Sequence, residues 1–354
     1  MARLDELFHY LKDHSGSDLH LAAGLAPRIR VHGELESVES WPVLSHKALL
    51  DLLRELTTNA QWEEYEQTGD FDLAYGLSGV GRFRVNYLQQ ENGAGAVFRL
   101  IPERIVPLAE LDLAKSVESL AHLQHGLVLV TGPTGSGKST TLAAIIDCIN
   151  STYEKHIVTI EDPVEFIHQN KKSVFSQREV GSDTESFGAA LRAAIRQDAD
   201  VILVGEMRDL ETIALAITAA EMGTLVFGTL HTNGAANTID RLIDAFPAEE
   251  QSQIRTTLAE SLAGVVSQLL LRTADGLGRC AATEILLKTQ GLANIIREGN
   301  TPMLTTVIQS GKNQGMQLMD DALGTLVEQR RITVRDAYLK ASNKARFEGL
   351  LEEE

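Results

Sequence analysis

The sequence is poor in cysteine, in proline and in long apolar runs. Only two cysteines, Cys148 and Cys280, occur among 354 residues, and no Cys-x-x-Cys pair is present. Neither a disulfide framework nor a cysteine zinc site is therefore expected. No apolar run approaches the roughly 18 residues needed to cross a bilayer. Residues 1–8 lack the basic-then-apolar order of a secretory signal, and we expect the chain to remain in the cytosol.

Basic residues are also in deficit. Lys and Arg number 32 against 49 Asp and Glu, which gives a formal net charge of −17 at pH 7. Sequence-independent binding to a polyphosphate backbone depends on Lys and Arg that neutralise phosphates. The composition therefore disfavours nucleic acid as a partner, and a locally basic lining inside an oligomer would be the exception.

Length and composition predict two domains with a boundary near residue 110. Hydrophobic residues make up 44% of the chain, which allows a sizeable core, and the proline-containing stretch 101–107 is the best candidate for a linker. In residues 1–110, apolar residues at helical spacing (Leu4, Leu7, Phe8 and Leu11) precede a strand and turn at 28–35. Three further strand-like runs follow at 71–75, 82–88 and 95–101. This pattern predicts a small α+β domain.

Residues 111–354 predict an α/β domain. Strand-like runs alternate with helical segments, which is the pattern of a mainly parallel sheet covered by helices. The strand-like runs are 127–131, 156–160, 201–204 and 225–230. One helix is expected to start at 182–185, where Ser182 and Glu185 have the spacing of a capping box.

A glycine-rich loop follows the run 127–131. Residues 132–139 read Gly-Pro-Thr-Gly-Ser-Gly-Lys-Ser and fit the phosphate-binding pattern G-x-x-x-x-G-K-[ST]. The glycines let backbone N–H groups point at phosphate oxygens, and the next helix adds its positive N-terminal end. The sequence therefore predicts a nucleoside triphosphate as ligand, against the alternative of a plain surface turn. The predicted binding residues are Gly132, Pro133, Thr134, Gly135, Ser136, Gly137, Lys138, Ser139 and Thr140.

Carboxylates and a histidine follow the other strand-like runs. Glu161, Asp162 and Glu165 come after one run, Glu206 after the next and His231 after the last. Because the carboxyl ends of parallel strands meet at one edge of a sheet, we expect these side chains near the phosphate loop. One acid would hold Mg²⁺ with Ser139 while another accepts a proton from the attacking water. Solvated acids and a structural histidine are the alternatives.

Arginines recur in the small domain. Strand alternation places Arg82 and Arg84 on one face, and a hairpin with the following strand would add Arg99. Neighbouring like charges cost stability unless an anion offsets them, and an arginine aimed at a γ-phosphate speeds phosphoryl transfer by roughly 10³–10⁵-fold. We expect these side chains to reach the nucleotide of a neighbouring subunit; ordinary surface arginines are the alternative.

Over essentially its whole length the chain resembles the secretion-type hexameric ATPases, and among them the motors that retract type IV pili. The matching segments are the phosphate loop and residues 17–21, 27–31, 81–86, 159–165, 205–209 and 228–232. The last three segments are similar to the family's Asp box, Walker B and His box, in that order.

The resemblance implies a fold, an activity and partners. It implies a PAS-like N-terminal domain joined to a RecA-like ATPase domain, with ATP and Mg²⁺ as ligands and six copies of the chain in a ring. It also implies hydrolysis that powers pilus retraction and twitching motility. The partners would be an inner-membrane pilus platform protein, which would place the ring peripherally at that membrane, and a paralogous pilus ATPase.

The resemblance also assigns roles to individual residues. By it, Lys138 and Ser139 bind phosphate and Mg²⁺, and Glu206 is the Walker B acid. Glu165 is the base for the attacking water, and His231 senses phosphate. The family's trans-acting arginines are similar to Arg82, Arg84 and Arg99, with the assignment among the three left open.

Two positions depart from the family pattern. Thr224 stands where the His box usually begins with a histidine, and Ala293 stands where retraction motors commonly have an arginine. An accessory retraction paralogue therefore stays open, as do a pilus-assembly or type II secretion ATPase and a weakly hydrolysing, nucleotide-gated adaptor. Assembly and secretion relatives usually carry an extra N-terminal domain and a four-cysteine zinc insert, which we do not find in this sequence.

Overall fold

The computed structural model describes residues 2–31, 34–101 and 104–351. The chain divides into two compact units, residues 1–104 and 105–354. The predicted linker includes residues 102 and 103, and both lie outside the described residues. The predicted boundary near 110 falls in a short 3₁₀ turn of the second unit, Leu108–Glu110. Within the described ranges, no helix is both long and apolar enough to span a bilayer.

The first unit contains a six-stranded antiparallel sheet in the order β3-β2-β1-β6-β5-β4. Its strands are β1 (Asp18–Ala22), β2 (Arg28–Val31), β3 (Glu34–Ser37), β4 (Asp70–Leu77), β5 (Gly81–Gln90) and β6 (Gly93–Ile101). Its helices are α1 (Asp5–Asp13), α2 (His46–Arg54) and α3 (Asn59–Thr68). The three strand-like runs predicted for this region are therefore confirmed as β4, β5 and β6.

One face of this sheet forms the core of the first unit. The predicted helical stripe of α1, which includes Phe8, is fully buried, and so are Phe83, Val85 and Tyr87 of β5. The Phe8 and Phe83 rings lie 4.4 Å apart between centroids. Strand alternation then directs Arg82 and Arg84 to the opposite face, as the sequence predicted.

The second unit is built on a seven-stranded sheet in the order β13-β12-β7-β11-β10-β8-β9. All neighbouring strands are parallel except the pair β12 and β13. The strands are β7 (Gly126–Thr131), β8 (His156–Glu161), β9 (Val174–Glu179), β10 (Val201–Val204), β11 (Leu225–Leu230), β12 (Leu262–Arg272) and β13 (Arg279–Leu287). The predicted mainly parallel sheet is confirmed, and β9, β12 and β13 were not predicted.

Helices cover both faces of the second sheet. They are α4 (Lys115–Ser119), α5 (Lys138–Thr152), α6 (Phe187–Ala194), α7 (Leu210–Glu221), α8 (Ala235–Asp244), α9 (Gln251–Ser261), α10 (Gln290–Glu298), α11 (Leu304–Ser310), α12 (Met319–Glu328), α13 (Val334–Lys340) and α14 (Ala345–Leu351). Along β7, Leu127 packs in the cluster that contains Ile213 of α7, and Val128 packs in the cluster that contains Ile145 of α5. Strands covered on both sides read as continuous apolar runs, which is why these strands were visible in the sequence.

The predicted start of α6 is wrong. The helix begins at Phe187, and the Ser186 hydroxyl caps it by accepting a hydrogen bond from the Ala189 N–H at 3.1 Å. The Gly181 N–H donates to the Thr184 carbonyl at 2.8 Å. The capping-box residues around Ser182 therefore belong to a turn that follows β9, and the true cap lies just beyond it.

Candidate nucleotide-binding site

The phosphate loop connects the end of β7 to the start of α5. Gly132, Gly135 and Gly137 have φ of +141°, +78° and +88°, conformations that residues with a Cβ avoid. A Cβ on Gly132 would also lie 2.2 Å from the backbone oxygen of Gln268. The loop therefore requires glycine both for its backbone angles and for close approach to β12. Lys138, the first residue of α5, is followed in the first turn by the predicted Ser139 and Thr140.

Lys138 is buried beneath this loop. Its Nζ donates hydrogen bonds to the carbonyls of Gly132 at 3.0 Å and Pro133 at 3.2 Å. Burial lowers the pKa of the Lys138 ammonium below its usual value, and the negative charges of Glu206 and Glu165 oppose that shift. The predicted acids Glu206 and Glu165 are therefore close enough to the predicted Lys138 for their charges to act on its ammonium group.

Glu206 is held by two cationic or polar neighbours at the carboxyl edge of the sheet. Its Oε1 lies 2.5 Å from Arg208 Nε and 3.2 Å from His231 Nε2, and its Oε2 accepts from the Arg208 guanidinium at 2.6 Å. Burial alone raises the pKa of Glu206, but the hydrogen bond and charge of Arg208, helped by His231, bring it below its usual value. The carboxylate is thus kept ionised.

Sequence reasoning missed Arg208. The signal available was its position two residues after Glu206, in the loop that leaves β10. Its guanidinium contacts both carboxylate oxygens of Glu206, a bidentate geometry that arginine supports and lysine does not. Arg208 therefore sets the orientation of the strand-end acid.

Glu161 and Glu165 follow β8 with different surroundings. The Glu161 carboxylate accepts from Thr159 Oγ1 at 2.7 Å, from Gln177 Nε2 at 3.2 Å and from the Glu165 N–H at 3.4 Å. Burial raises the pKa of Glu161 despite these hydrogen bonds. Glu165 is exposed. The Glu161 carboxylate is therefore occupied by hydrogen bonds within the protein, whereas the Glu165 side chain faces solvent.

The donor chemistry of the edge suits Mg²⁺ held jointly with a nucleotide. Among the described residues there is no group of three or more His, Cys, Asp or Glu placed to bind a metal. Ser139 and Glu206 supply a hydroxyl and a carboxylate. Mg²⁺ prefers oxygen ligands, keeps several waters and is commonly bound by one or two protein groups together with phosphate oxygens. These two residues therefore fit a Mg²⁺ that arrives with a nucleotide.

The predicted arginines lie on the first unit's sheet. Arg84 stands directly opposite Arg99 in the β5–β6 register, and Arg82 stands opposite Ile101. Arg99 Nε donates to Asp18 Oδ1 at 2.8 Å, and the Asp18 side chain is only 6% exposed. A carboxylate within the sheet therefore already offsets the charge of Arg99, and the role of Arg99 toward a neighbouring subunit's nucleotide stays a prediction.

Thr224 and Ala293, the two residues that depart from the family pattern, contribute a backbone hydrogen bond and core packing to the second unit. Thr224 precedes β11, at the end of the strand opposite His231, and its carbonyl accepts from the Gly126 N–H at 3.1 Å. Ala293 lies in α10 and packs against the core cluster of the second unit. Thr224 therefore lies at the amino ends of the parallel strands, whereas the phosphate loop lies at their carboxyl ends.

This fold and this loop define the class. The second unit is a parallel-sheet P-loop nucleoside triphosphatase domain, with acids from two neighbouring strands beside the loop. Residues 7–350 match the family described as type II/IV secretion system protein. The chain belongs to this family and is an ATPase.

Relatives extend over nearly the whole chain. The type IV pilus retraction ATPase PilT of Pseudomonas aeruginosa is 48% identical over 344 residues, 97% of this chain and 99% of that one. The type IV pilus ATPase PilU of the same organism is 39% identical over 339 residues, 96% and 88% of the two chains. The crystal structure of the pilus retraction motor PilT with bound ADP matches with a TM-score of 0.91 and 42% identity, covering 98% of each chain. The predicted RecA-like ATPase domain with a smaller N-terminal domain is thereby confirmed; its PAS-like character stays a prediction.

Proposed function

We propose that this protein hydrolyses ATP with Mg²⁺ and uses the energy to retract type IV pili. The observation that carries the chemistry is the phosphate loop between β7 and α5, in which Gly132, Gly135 and Gly137 have positive φ and Lys138 Nζ lies beneath the loop carbonyls. The similarity to PilT along nearly the full length of both chains supports the biological role.

The phosphate loop and α5 bind the triphosphate. Backbone N–H groups of residues 132–139 and the positive end of α5 would surround the phosphates, and the Lys138 ammonium would exchange its loop carbonyls for phosphate oxygens. Ser139 and Glu206 would hold Mg²⁺, which when bound neutralises charge on the β- and γ-phosphates.

Glu165 is the best candidate for the base. The carboxylate of Glu161 already accepts hydrogen bonds from Thr159, Gln177 and the Glu165 N–H, whereas Glu165 is exposed. Glu165 would orient the attacking water and accept its proton. His231, 3.2 Å from Glu206, would contact the γ-phosphate and couple its presence to that acid.

The ring and its partners complete the proposal. Six copies of this chain would form a ring in the cytosol, peripheral at the inner membrane through a pilus platform protein and assisted by a paralogous pilus ATPase. Arg82, Arg84 and Arg99 would act on the nucleotide of the neighbouring subunit. Both side chains are exposed, but Arg99 is tied to the buried Asp18, so Arg84 is the better candidate of that pair.

Phosphate release by the purified chain tests the enzymatic part. The parent should release phosphate only with Mg²⁺, and Lys138→Ala should abolish release because the loop loses its one phosphate-directed cation. The matched control is Lys155→Ala, since Lys155 precedes β8 at the opposite edge and pairs with Asp200 at 3.2 Å. Equal release by Lys138→Ala and Lys155→Ala would refute the site, and negligible release by the parent would favour the nucleotide-gated adaptor.

Pilus length in a deletion strain tests the biological part. A retraction motor predicts longer or more numerous surface pili and lost twitching on deletion, restored by the parent and not by Lys138→Ala. Loss of all pili would indicate the assembly ATPase instead. Retraction that persists in the deletion strain would indicate the accessory paralogue, which the greater identity to PilT than to PilU disfavours.

A further inference from the structure

A buried glutamine lies against the phosphate loop in the second unit. Gln268 is on β12, the strand that pairs in parallel with β7, and it is only 3% exposed. A buried amide must find hydrogen-bond partners or lose stability. The partners of Gln268 therefore indicate what its side chain does.

Both ends of the Gln268 amide are used at the nucleotide site. Its Nε2 donates to the backbone carbonyl of Ser136 at 2.7 Å, and its Oε1 accepts from Thr141 Oγ1 at 2.9 Å. Ser136 belongs to the phosphate loop, and Thr141 lies in the first turn of α5. One side chain thus connects the loop to the helix that follows it.

The hydrogen bond to Ser136 fixes the direction of a backbone N–H. In a planar trans peptide the carbonyl of one residue and the N–H of the next point in opposite directions. Because the Ser136 carbonyl points at Gln268, the Gly137 N–H points away from β12. Gly137 has φ of +88°, and glycine permits several backbone conformations at little steric cost, so this peptide needs an external restraint.

The loop is also shaped around this residue. A Cβ on Gly137 would lie 2.8 Å from Gln268 Nε2, and a Cβ on Gly132 would lie 2.2 Å from the Gln268 backbone oxygen. Glycines at both places let the loop approach β12 closely enough for the amide to reach the Ser136 carbonyl.

We propose that Gln268 is a positioning residue that holds the Ser136–Gly137 peptide so that the Gly137 N–H is presented to the nucleotide's phosphates. The proposal rests on the proposed ATPase function. It assigns to the amide an effect on phosphate binding rather than on the chemical step.

Gln268→Met tests this role because methionine keeps the length of the side chain and removes both hydrogen bonds. We expect the Kd for ADP and the KM for ATP to rise about tenfold, because a Gly137 N–H that is no longer held in place loses roughly one hydrogen bond to phosphate. The value of kcat should stay within about threefold, as when binding is lost equally from ground and transition states.

Gln317→Met is the matched control. Gln317 Nε2 likewise donates to a backbone carbonyl, that of Thr283 at 2.8 Å, on β13 rather than at the loop. It should lower the melting temperature while leaving the ADP Kd within about twofold of the parent value. If Gln268→Met does not fold, Thr141→Val removes the other anchor of the amide and should raise the ADP Kd about threefold.

An unchanged ADP Kd in Gln268→Met, or in Thr141→Val when it is the variant used, would overturn the proposal. An equal rise in Gln317→Met would do so as well, because it would show that any lost hydrogen bond in this sheet weakens binding. If the parent bound ADP but hydrolysed no ATP, the proposed function would fail while the ADP titrations still decided the role of Gln268.

Discussion

Replacing Gly132 by alanine should damage this protein more than the same change at Gly135. Both glycines lie in the phosphate loop with positive φ, +141° and +78°. A Cβ on Gly132 would meet the Gln268 backbone oxygen at 2.2 Å, whereas nothing lies within 4 Å of a Cβ on Gly135. That oxygen belongs to a central strand and cannot move aside as a side chain can.

The magnitudes follow from these two differences. A disfavoured backbone conformation costs a residue with a Cβ about 1–3 kcal/mol, and this cost applies at both positions. Overpacking against β12 adds about 1–3 kcal/mol at Gly132 alone. We therefore expect Gly132→Ala to lower the free energy of unfolding by about 2–6 kcal/mol and Gly135→Ala by about 1–3 kcal/mol.

Urea unfolding followed by circular dichroism measures the difference, with ADP titration as a second readout. Gly132→Ala should unfold at a clearly lower urea concentration than Gly135→Ala and should bind ADP more weakly, because the loop cannot close against β12. If the two variants unfolded within about 0.5 kcal/mol of each other, the close approach of loop and strand would not matter and the reasoning would be refuted.

Two further predictions concern charged pairs. Arg99→Ala removes the charged partner of the buried Asp18 and should lower the free energy of unfolding by about 1–2 kcal/mol. Arg84→Ala should change the free energy of unfolding by less than about 0.5 kcal/mol. Equal values for the two variants in urea unfolding would contradict the pairing of Arg99 with Asp18. Arg208→Ala should lower the melting temperature at pH 7 because Arg208 brings the pKa of Glu206 below its ordinary value of 4.5. A lowered folded pKa contributes stability above the unfolded pKa and loses it as pH falls through the folded one, so calorimetry should show the parent and variant converging below pH 4.5, and a constant difference would refute the coupling.

Much of the site could be predicted because its elements are local in sequence. The phosphate loop, its flanking strand and the start of α5 occupy adjacent residues, and their spacing alone specifies the chemistry. Arg84 and Arg99 were placed together because a hairpin sets its register by a short turn. The strand-end acids followed from the rule that parallel strands collect their ends at one edge.

The rest depended on contacts between distant residues. Gln268 reaches Ser136 only because β12 lies next to β7 in the sheet, an order that no local pattern specifies. The partnership of Arg99 with Asp18 likewise depends on β1 pairing with β6. The start of α6 was misplaced because Ser182 and Ser186 both suit a helix cap, and the turn after β9 decides between them.

The most direct test of the central claim is ATP binding and hydrolysis by Glu206→Gln, measured on one purified preparation. Glutamine keeps the shape of the Glu206 side chain and removes the charge that acts on Lys138 and pairs with Arg208. We expect ATP to remain bound while phosphate release falls by roughly 10²-fold or more, because Glu206 would hold the Mg²⁺ that stabilises charge in the transition state. Release at the parent rate would show that the carboxyl edge of this sheet is not where the chain hydrolyses ATP.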